Sequence, residues 1–361
     1  MKKIKLSAGV ILLWLFIGFK ASANNRFDVC SNCNTEETID FLEKTSTPYS
    51  SFSLIRSSDS LSKGKVLLLH GLTDSPYYLK DIAKSLYFEG YDVYVPLLSG
   101  HGKDHQTMSH ITYEQWISEA NSIIKDLTKD GQPLILGGFS NGGLLSTVLA
   151  KTPDLQKKIK MLLLFAPALE ISTSLFSKIV LSTLRGVKKW LSITNQDFLK
   201  KYYDKLRGLE LFSSWCPECS GYVKNKTLPL NGPLQVYSNI RDNLKTESSI
   251  KIPTILVMTG NDTVINTEKV VTSFSRNFNS EFNHIFWLKA ETDKSTPPTL
   301  PSDKLTIINS PLVISHSGLM FETNLYGRQS EINPQFNRLQ ENIISTMRQI
   351  SNRVLCKSNY Q

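Results

Sequence analysis

From Phe52 onward, short continuous apolar runs alternate with amphipathic stretches. Lys65-Val66-Leu67-Leu68-Leu69 reads as a buried strand closed by His70-Gly71. Ser75-Pro76 opens a helical pattern through Tyr78, Ile82, Leu86 and Tyr87, stopped by Gly90. Tyr91 to Val95 is the next strand, followed by the loop Leu98-Ser99-Gly100-His101-Gly102. Between Tyr113 and Leu127, the positions of Trp116, Ala120, Ile123, Ile124 and Leu127 make one helix face. Pro133–Phe139, Met161–Phe165, Thr254–Met258 and His284–Leu288 read as further strands, and Leu144–Ala150 and Asn337–Ile350 as helices. Strands alternating with helices predict an α/β fold whose mostly parallel sheet is flanked by helices on both faces.

Two regions depart from this rhythm. Residues 169–250 contain no clear buried strand, several helical patches and a Pro/Gly/Asn-rich exit, the pattern of a cap inserted over the sheet. Residues 24–50 are polar and rich in Ser, Thr and Asn, and read as a tether. One domain over 51–361, carrying the cap at about 169–250, is therefore expected.

Composition agrees with a globular chain: 361 residues, 40% hydrophobic and 20% charged. The net charge of +9 suggests an anionic partner until its location is considered. Residues 1–23 run from Met1-Lys2-Lys3 through an apolar stretch at Ala8–Phe19 to Ala21-Ser22-Ala23, the pattern of a cleaved secretory signal peptide. The apolar run is shorter than the ~20 residues a membrane-spanning helix needs, though an uncleaved anchor is the alternative. The expected location is periplasmic or secreted. That segment holds four lysines and no acid, so the chain after it carries +5. Residues 169–250 hold 12 Lys/Arg and 7 Asp/Glu, which also nets +5, so the rest of the mature chain is near neutral.

The five cysteines are Cys30, Cys33, Cys216, Cys219 and Cys356. In an exported chain disulfides are their expected state, and two C-x-x-C pairs leave a four-thiolate zinc site as the alternative. The widely separated pairs and the missing finger pattern favour disulfides, so no metal is expected. Cys356 is the candidate odd cysteine.

Gly138-Phe139-Ser140-Asn141-Gly142 is a G-x-S-x-G between a predicted strand and a predicted helix. That context is the nucleophile elbow, whose glycines let the serine stand above the sheet. A serine nucleophile needs a base and a group that orients the base, in the chain order Ser, Asp or Glu, His. Asp262, in Gly260-Asn261-Asp262-Thr263-Val264, directly follows a buried strand, and active-site groups gather at that edge of a parallel sheet. Of the two histidines after Ser140, His284 begins a strand, whereas His316 lies in a loop, so His316 is the candidate base. Amides of Asn141 and of Leu72, after the His70-Gly71 strand end, are the candidate oxyanion donors. His70 reads as a support of that loop.

Leu67-Leu68-Leu69-His70-Gly71-Leu72-Thr73, Leu98-Ser99-Gly100-His101-Gly102, the elbow, Gly260–Val264 and Ser315-His316 together resemble the α/β-hydrolase superfamily. The likeness is to its carboxylesterase and monoacylglycerol-lipase branch, grouped with serine aminopeptidase relatives. This resemblance implies an eight-stranded, mostly parallel sheet, a helical cap after the sixth strand, and ester hydrolysis without a cofactor. One feature departs from the pattern: Ala290–Pro311, rich in Thr, Pro and Ser, separates the last predicted strand from His316. Either that stretch is an inserted loop or His316 closes a different connection.

The expected partner is a small-molecule ester or lipid. In the cap, Phe176, Ile179, Val180, Leu184, Val187, Trp190 and Leu191 are spaced as a helix face among Lys178, Arg185, Lys188 and Lys189. Such a helix either packs on its own domain with a solvated basic face or lies on an anionic membrane. A peptidase, and a binding module without catalysis, are the alternative functions. Nucleic acid is not expected: there is no recognition helix, basic-aromatic platform or phosphate loop.

Overall fold

In the computed structural model, residues 27–44, 50–56, 62–102, 105–172, 204, 207–208, 210–213, 227–244, 249–293, 295–320 and 333–358 are described. In chain order the first elements are β1 (Asp28–Ser31), α1 (Thr35–Lys44), β2 (Phe52–Ile55), β3 (Lys65–Leu69), α2 (Lys80–Glu89) and β4 (Asp92–Val95). Then come α3 (His105–His110), α4 (Tyr113–Leu127), β5 (Leu134–Phe139), α5 (Asn141–Ala150), α6 (Pro153–Gln156) and β6 (Ile159–Phe165). The insertion contains β7 (Glu210–Ser213), β8 (Thr227–Pro229) and α7 (Asn231–Asn239). The chain returns through β9 (Thr254–Thr259), α8 (Thr267–Asn277), β10 (His284–Ala290), β11 (Leu305–Ser310) and α9 (Phe336–Ser358).

The apolar runs form the middle of one sheet ordered β1-β2-β4-β3-β5-β6-β9-β10-β11. Neighbours are parallel except β2 and β4, so β1 and β2 run opposite to the other seven. Residues of β5 and β9 are buried throughout, as strands covered on both faces must be. Leu69 pairs with Gly138 and Phe139 with Phe165, so the C-terminal ends of β3, β5 and β6 stand nearly level.

The helices follow from local chemistry. A Thr112–Gln115 capping box starts α4, whose buried face is Trp116, Ala120, Ile123, Ile124 and Leu127. Gly90, at φ +115°, ends α2 in the left-handed conformation that favours glycine. On α9, Leu339, Ile343, Met347 and Ile350 are buried at helical spacing.

Three expectations are corrected. The main sheet has nine strands, not eight. The ninth, β11, lies in the Thr/Pro/Ser-rich stretch and pairs in parallel with β10. Only Ile308 and Ser310 of it are buried, so this edge strand lacks a continuous apolar run. Residues 24–50 are not merely a tether, because β1 pairs with β2 and α1 follows it. That segment places few apolar residues inward (Cys30 and Leu42 are buried), which hid it from the hydrophobic pattern. The insertion does leave after β6 and return before β9, but its described part includes an antiparallel β7–β8 pair as well as a helix.

Cys30 and Cys33 form a disulfide, and Cys356 is a free, exposed thiol. Residues 1–23, the basic apolar stretch 176–191, Cys216 and Cys219 lie outside the described residues. Among the described residues no helix is long and apolar enough to cross a membrane.

Candidate active site

The elbow is forced by sterics. Ser140 sits at φ +53° and ψ −114°, a backbone state a non-glycine residue adopts only when its surroundings impose it. A Cβ on Gly138 would stand 2.4 Å from the Gly142 carbonyl carbon, and one on Gly142 would stand 1.9 Å from the Leu69 oxygen. Both glycines of the motif are thus required by close backbone approach. The Ser140 amide donates to the Phe165 oxygen at 2.9 Å, and its carbonyl accepts from Leu144 (3.0 Å) and Ala168 (2.9 Å). These bonds clamp the turn between β5, α5 and the end of β6.

Asp262 lies three residues past the end of β9. Its Oδ1 accepts from the amides of Val264 (2.8 Å) and Ile265 (2.9 Å). Its Oδ2 faces His316 Nδ1 at 2.6 Å, with 0% of the Asp262 side chain and 8% of the His316 side chain exposed. Both oxygens of this buried carboxylate are therefore engaged, by two amides on one and by the imidazole on the other.

His316 reaches that carboxylate because β11 ends six residues earlier. The separation from β10 thus holds a strand, not only a loop, and His316 does follow the last strand of the sheet. Thr259 Oγ1, at the end of β9, donates to the Ile314 oxygen at 2.7 Å. Tyr78 OH donates to the Ser317 carbonyl from the other side. The imidazole packs on the ring of Phe139 with centroids 4.8 Å apart, and Tyr78 packs on Phe139 at the same separation. Phe139 immediately precedes Ser140, so the histidine loop rests on the elbow. Tyr78, Phe139 and Thr259 were not singled out from sequence. Their roles are long-range contacts with no local pattern to mark them.

Leu72 and Asn141 come to the same sheet edge. Gly142 packs on the Leu69 and His70 carbonyls, which presses the first turn of α5 against the end of β3. At Gly71 a Cβ would meet an Asp74 carboxylate oxygen at 2.1 Å, so a side chain there would have to displace that carboxylate. The insertion also reaches this edge: a Cβ on Gly232 of α7 would lie 3.3 Å from the Leu72 side chain. Asn231 fixes that end of α7 by donating to the Met108 (2.9 Å) and Ile111 (2.7 Å) carbonyls. The side-chain amide of Asn141 is buried with neither polar atom hydrogen-bonded.

Three other histidines lie apart from the Asp262 carboxylate. His284, at the start of β10, contacts the Asp303 carbonyl (3.1 Å) and Thr306 Oγ1 (2.9 Å), at the opposite end of the sheet from the elbow. His70 and His101 are buried behind Leu72 and touch the backbone of two loops.

A glycine-clamped serine, a buried Asp–His pair, the loop backbone of Leu72 and the helix-start backbone of Asn141, on one edge of a parallel sheet, can support nucleophilic acyl transfer. Residues 61–285, more than half of the chain, match the family described as Serine aminopeptidase, S33. The chain belongs to that family. It has the α/β-hydrolase fold. A thermostable monoacylglycerol lipase of Bacillus sp. (strain H-257) is 33% identical over 91 residues, 25% of this chain and 36% of that protein. The chain thus spans about a third of that relative's length. A carboxylesterase of Bacillus subtilis (strain 168) is 25% identical over 204 residues, covering 56% of this chain and 74% of its own length. Among solved structures, a monoacylglycerol lipase of Paleococcus ferrophilus superposes with TM-score 0.52 at 18% identity, over 79% of this chain and 94% of that one. A soluble variant of a Saccharomyces cerevisiae monoglyceride lipase gives TM-score 0.54 at 13% identity, over 82% and 91%. At these identities the structural likeness concerns the fold.

Proposed function

We propose that this chain is an exported serine hydrolase of carboxylic esters, acting through Ser140, His316 and Asp262. The observation that carries the reading is the 2.6 Å contact between His316 Nδ1 and Asp262 Oδ2, on a loop resting against the elbow. With its Nδ1 proton held by Asp262, neutral His316 keeps the Nε2 lone pair for the serine hydroxyl. Ser140 Oγ attacks the ester carbonyl as its proton moves to His316 Nε2. The amides of Leu72 and Asn141 hold the oxyanion. His316 returns the proton to the departing alkoxide, and a water activated by the same imidazole cleaves the acyl-enzyme. This chemistry uses no metal or cofactor.

For the substrate we infer an ester with one apolar acyl chain, of the monoacylglycerol or lysophospholipid kind. The basic, apolar 169–250 insertion and the names of the relatives support that class. The signal-like residues 1–23 support export to the periplasm or beyond, and the basic insertion supports contact with an anionic membrane.

The test is hydrolysis of p-nitrophenyl esters of graded chain length by the purified chain and by S140A. The mutant should lose nearly all activity, and unchanged turnover would refute the reading. Faster cleavage of aminoacyl arylamides than of esters would replace it with the peptidase reading.

A further inference from the structure

The loop Leu98-Ser99-Gly100-His101-Gly102 is part of the sequence signature, yet it contributes no group to the proposed reaction. Its structure shows what it touches. His101 sits on the loop after β4, and its Nε2 contacts the Leu72 carbonyl, on the loop after β3, at 2.7 Å. His70 sits at the end of β3, and its Nε2 accepts from the Leu98 amide, on the loop after β4, at 3.1 Å. Each loop thus lends a histidine to the backbone of the other. The two rings meet edge to face with centroids 4.7 Å apart, and both residues are essentially inaccessible to water. Trp116 closes the far side of His101, with centroids 5.8 Å apart, and its Nε1 donates to the Ser99 carbonyl at 2.8 Å.

The tautomers follow from these partners. Burial holds both imidazoles below the ordinary histidine range, so both are neutral near pH 7. His70 accepts at Nε2, so its proton is on Nδ1, 2.9 Å from the Gly71 carbonyl. His101 Nε2 faces the Leu72 carbonyl at 2.7 Å, whereas its Nδ1 lies near two carbonyls at longer range, Leu98 at 3.2 Å and Ser99 at 3.3 Å. The shorter contact takes the single proton, so Nε2–H donates to Leu72.

We propose that His101 is a positioning residue for the oxyanion hole: its Nε2–H fixes the Leu72 carbonyl and, through it, the orientation of the Leu72 turn. The proposal rests on the ester-hydrolase reading above. The Leu72 amide and the Leu72 carbonyl flank the same Cα, so anchoring one restricts the other. An amide that must point at a charge present only in the transition state gains from being held beforehand, and a misplacement of about 1 Å costs on the order of 10²-fold in rate.

The experiment compares H101Q with H101M, two unbranched side chains of similar size, of which only Gln offers an N–H to Leu72. Turnover is counted per active site, titrated with a fluorophosphonate. H101M should lose about 10²-fold in kcat with KM within about threefold, whereas H101Q should stay within about fivefold of the parent. An aryl trifluoromethyl ketone, which adds to Ser140 to give a hemiketal oxyanion, should lose affinity in H101M by a factor similar to the loss in kcat. A role in packing alone would lower the melting temperature and the titrated fraction but leave kcat per site intact, and that result overturns the proposal. If H101M does not fold, H101F keeps an apolar ring without the donor and takes its place. H101Q decides independently: a folded H101Q with kcat down 10²-fold also overturns it. Loss of activity in S140A together with a normal H101M defeats the brace alone, whereas an active S140A defeats the hydrolase reading itself.

Discussion

Replacing Asp262 by Asn separates the geometry of the Asp–His pair from its charge. The carboxylate spends one oxygen on the amides of Val264 and Ile265 and the other on His316 Nδ1. An asparagine must keep its oxygen toward the two amides, because the reverse orientation would set an NH2 group against two N–H donors in a buried place. Its NH2 then faces His316 Nδ1. Two donors cannot share that contact, so the imidazole proton moves to Nε2. The nitrogen proposed to receive the serine proton is then already occupied. In serine proteases the equivalent change costs about 10⁴ in kcat, which is ~5.4 kcal/mol of barrier.

The cost to folding should be much smaller, because all three contacts keep their geometry. Charge-assisted bonds become neutral ones, a loss of roughly 1–2 kcal/mol. D262N should therefore melt a few degrees below the parent but lose almost all turnover. The assay is kcat on p-nitrophenyl butyrate at pH 7.5, with urea unfolding of the same preparations. D262N retaining more than about a tenth of parental kcat would show that Asp262 does not set the tautomer of His316. Equal losses of activity and folded fraction would show that it acts only through stability.

Other expectations can be checked in parallel. Burial lowers the pKa of His70 and His101 below the unfolded value of 6.5, so the unfolded chain takes up protons ahead of the folded one as pH falls past that point. The stability they contribute is full above about pH 6.5 and is lost on acidification, by up to ~1.4 kcal/mol per histidine between pH 7.5 and 5.5. Urea midpoints that hold steady or rise over that interval would contradict it. G142A should destabilise by ~3 kcal/mol or more, because the new methyl meets the Leu69 carbonyl and neither backbone can retreat. At Gly131, where a Cβ meets open space, Ala should cost only the strain of φ +75°, about 1 kcal/mol, and thermal melts compare the two. N141L should stabilise by ~1 kcal/mol, since it removes a buried amide with no partner, and should leave kcat within about threefold because the proposed donor is the backbone. A large loss of kcat in N141L would assign the side chain to substrate.

The centre of the fold was legible because burial on both faces leaves a strong local mark. Val66–Leu69, Leu134–Phe139 and Thr254–Thr259 are nearly free of polar side chains, and the residues of the site follow directly at their ends. The edges were not legible for the converse reason. A strand buried on one side, such as β11, or one holding a single inward residue, such as β1, can be made from Thr, Ser, Asn and Asp. The same limit applied to the site. Ser140 and Asp262 lie immediately beyond buried strands, so sequence alone could place them. His316 could be named only by elimination among histidines, because its strand was invisible.

The position of β11 also explains how a histidine so far along the chain meets an aspartate at the end of β9. β10 and β11 add two parallel strands beyond β9, which would carry the chain away from the elbow. The connection after β11 turns back over the sheet edge and is caught twice, by Thr259 at Ile314 and by Tyr78 at Ser317, on either side of His316. Two hydrogen bonds bracketing one residue fix its backbone, and the ring is then held between the Asp262 carboxylate and the face of Phe139. The imidazole has little rotational freedom left, as its proposed role as a base that takes a proton from one atom and returns it to another requires. The inserted strand therefore sets where the loop begins, while the two hydrogen bonds set where the histidine ends. Asp293 and Ser295 pack against Gly260 in the Asp262 loop, so changes in length should be tolerated only beyond them, in 296–304, as long as β11, Thr259 and Tyr78 remain; kcat on p-nitrophenyl butyrate checks this.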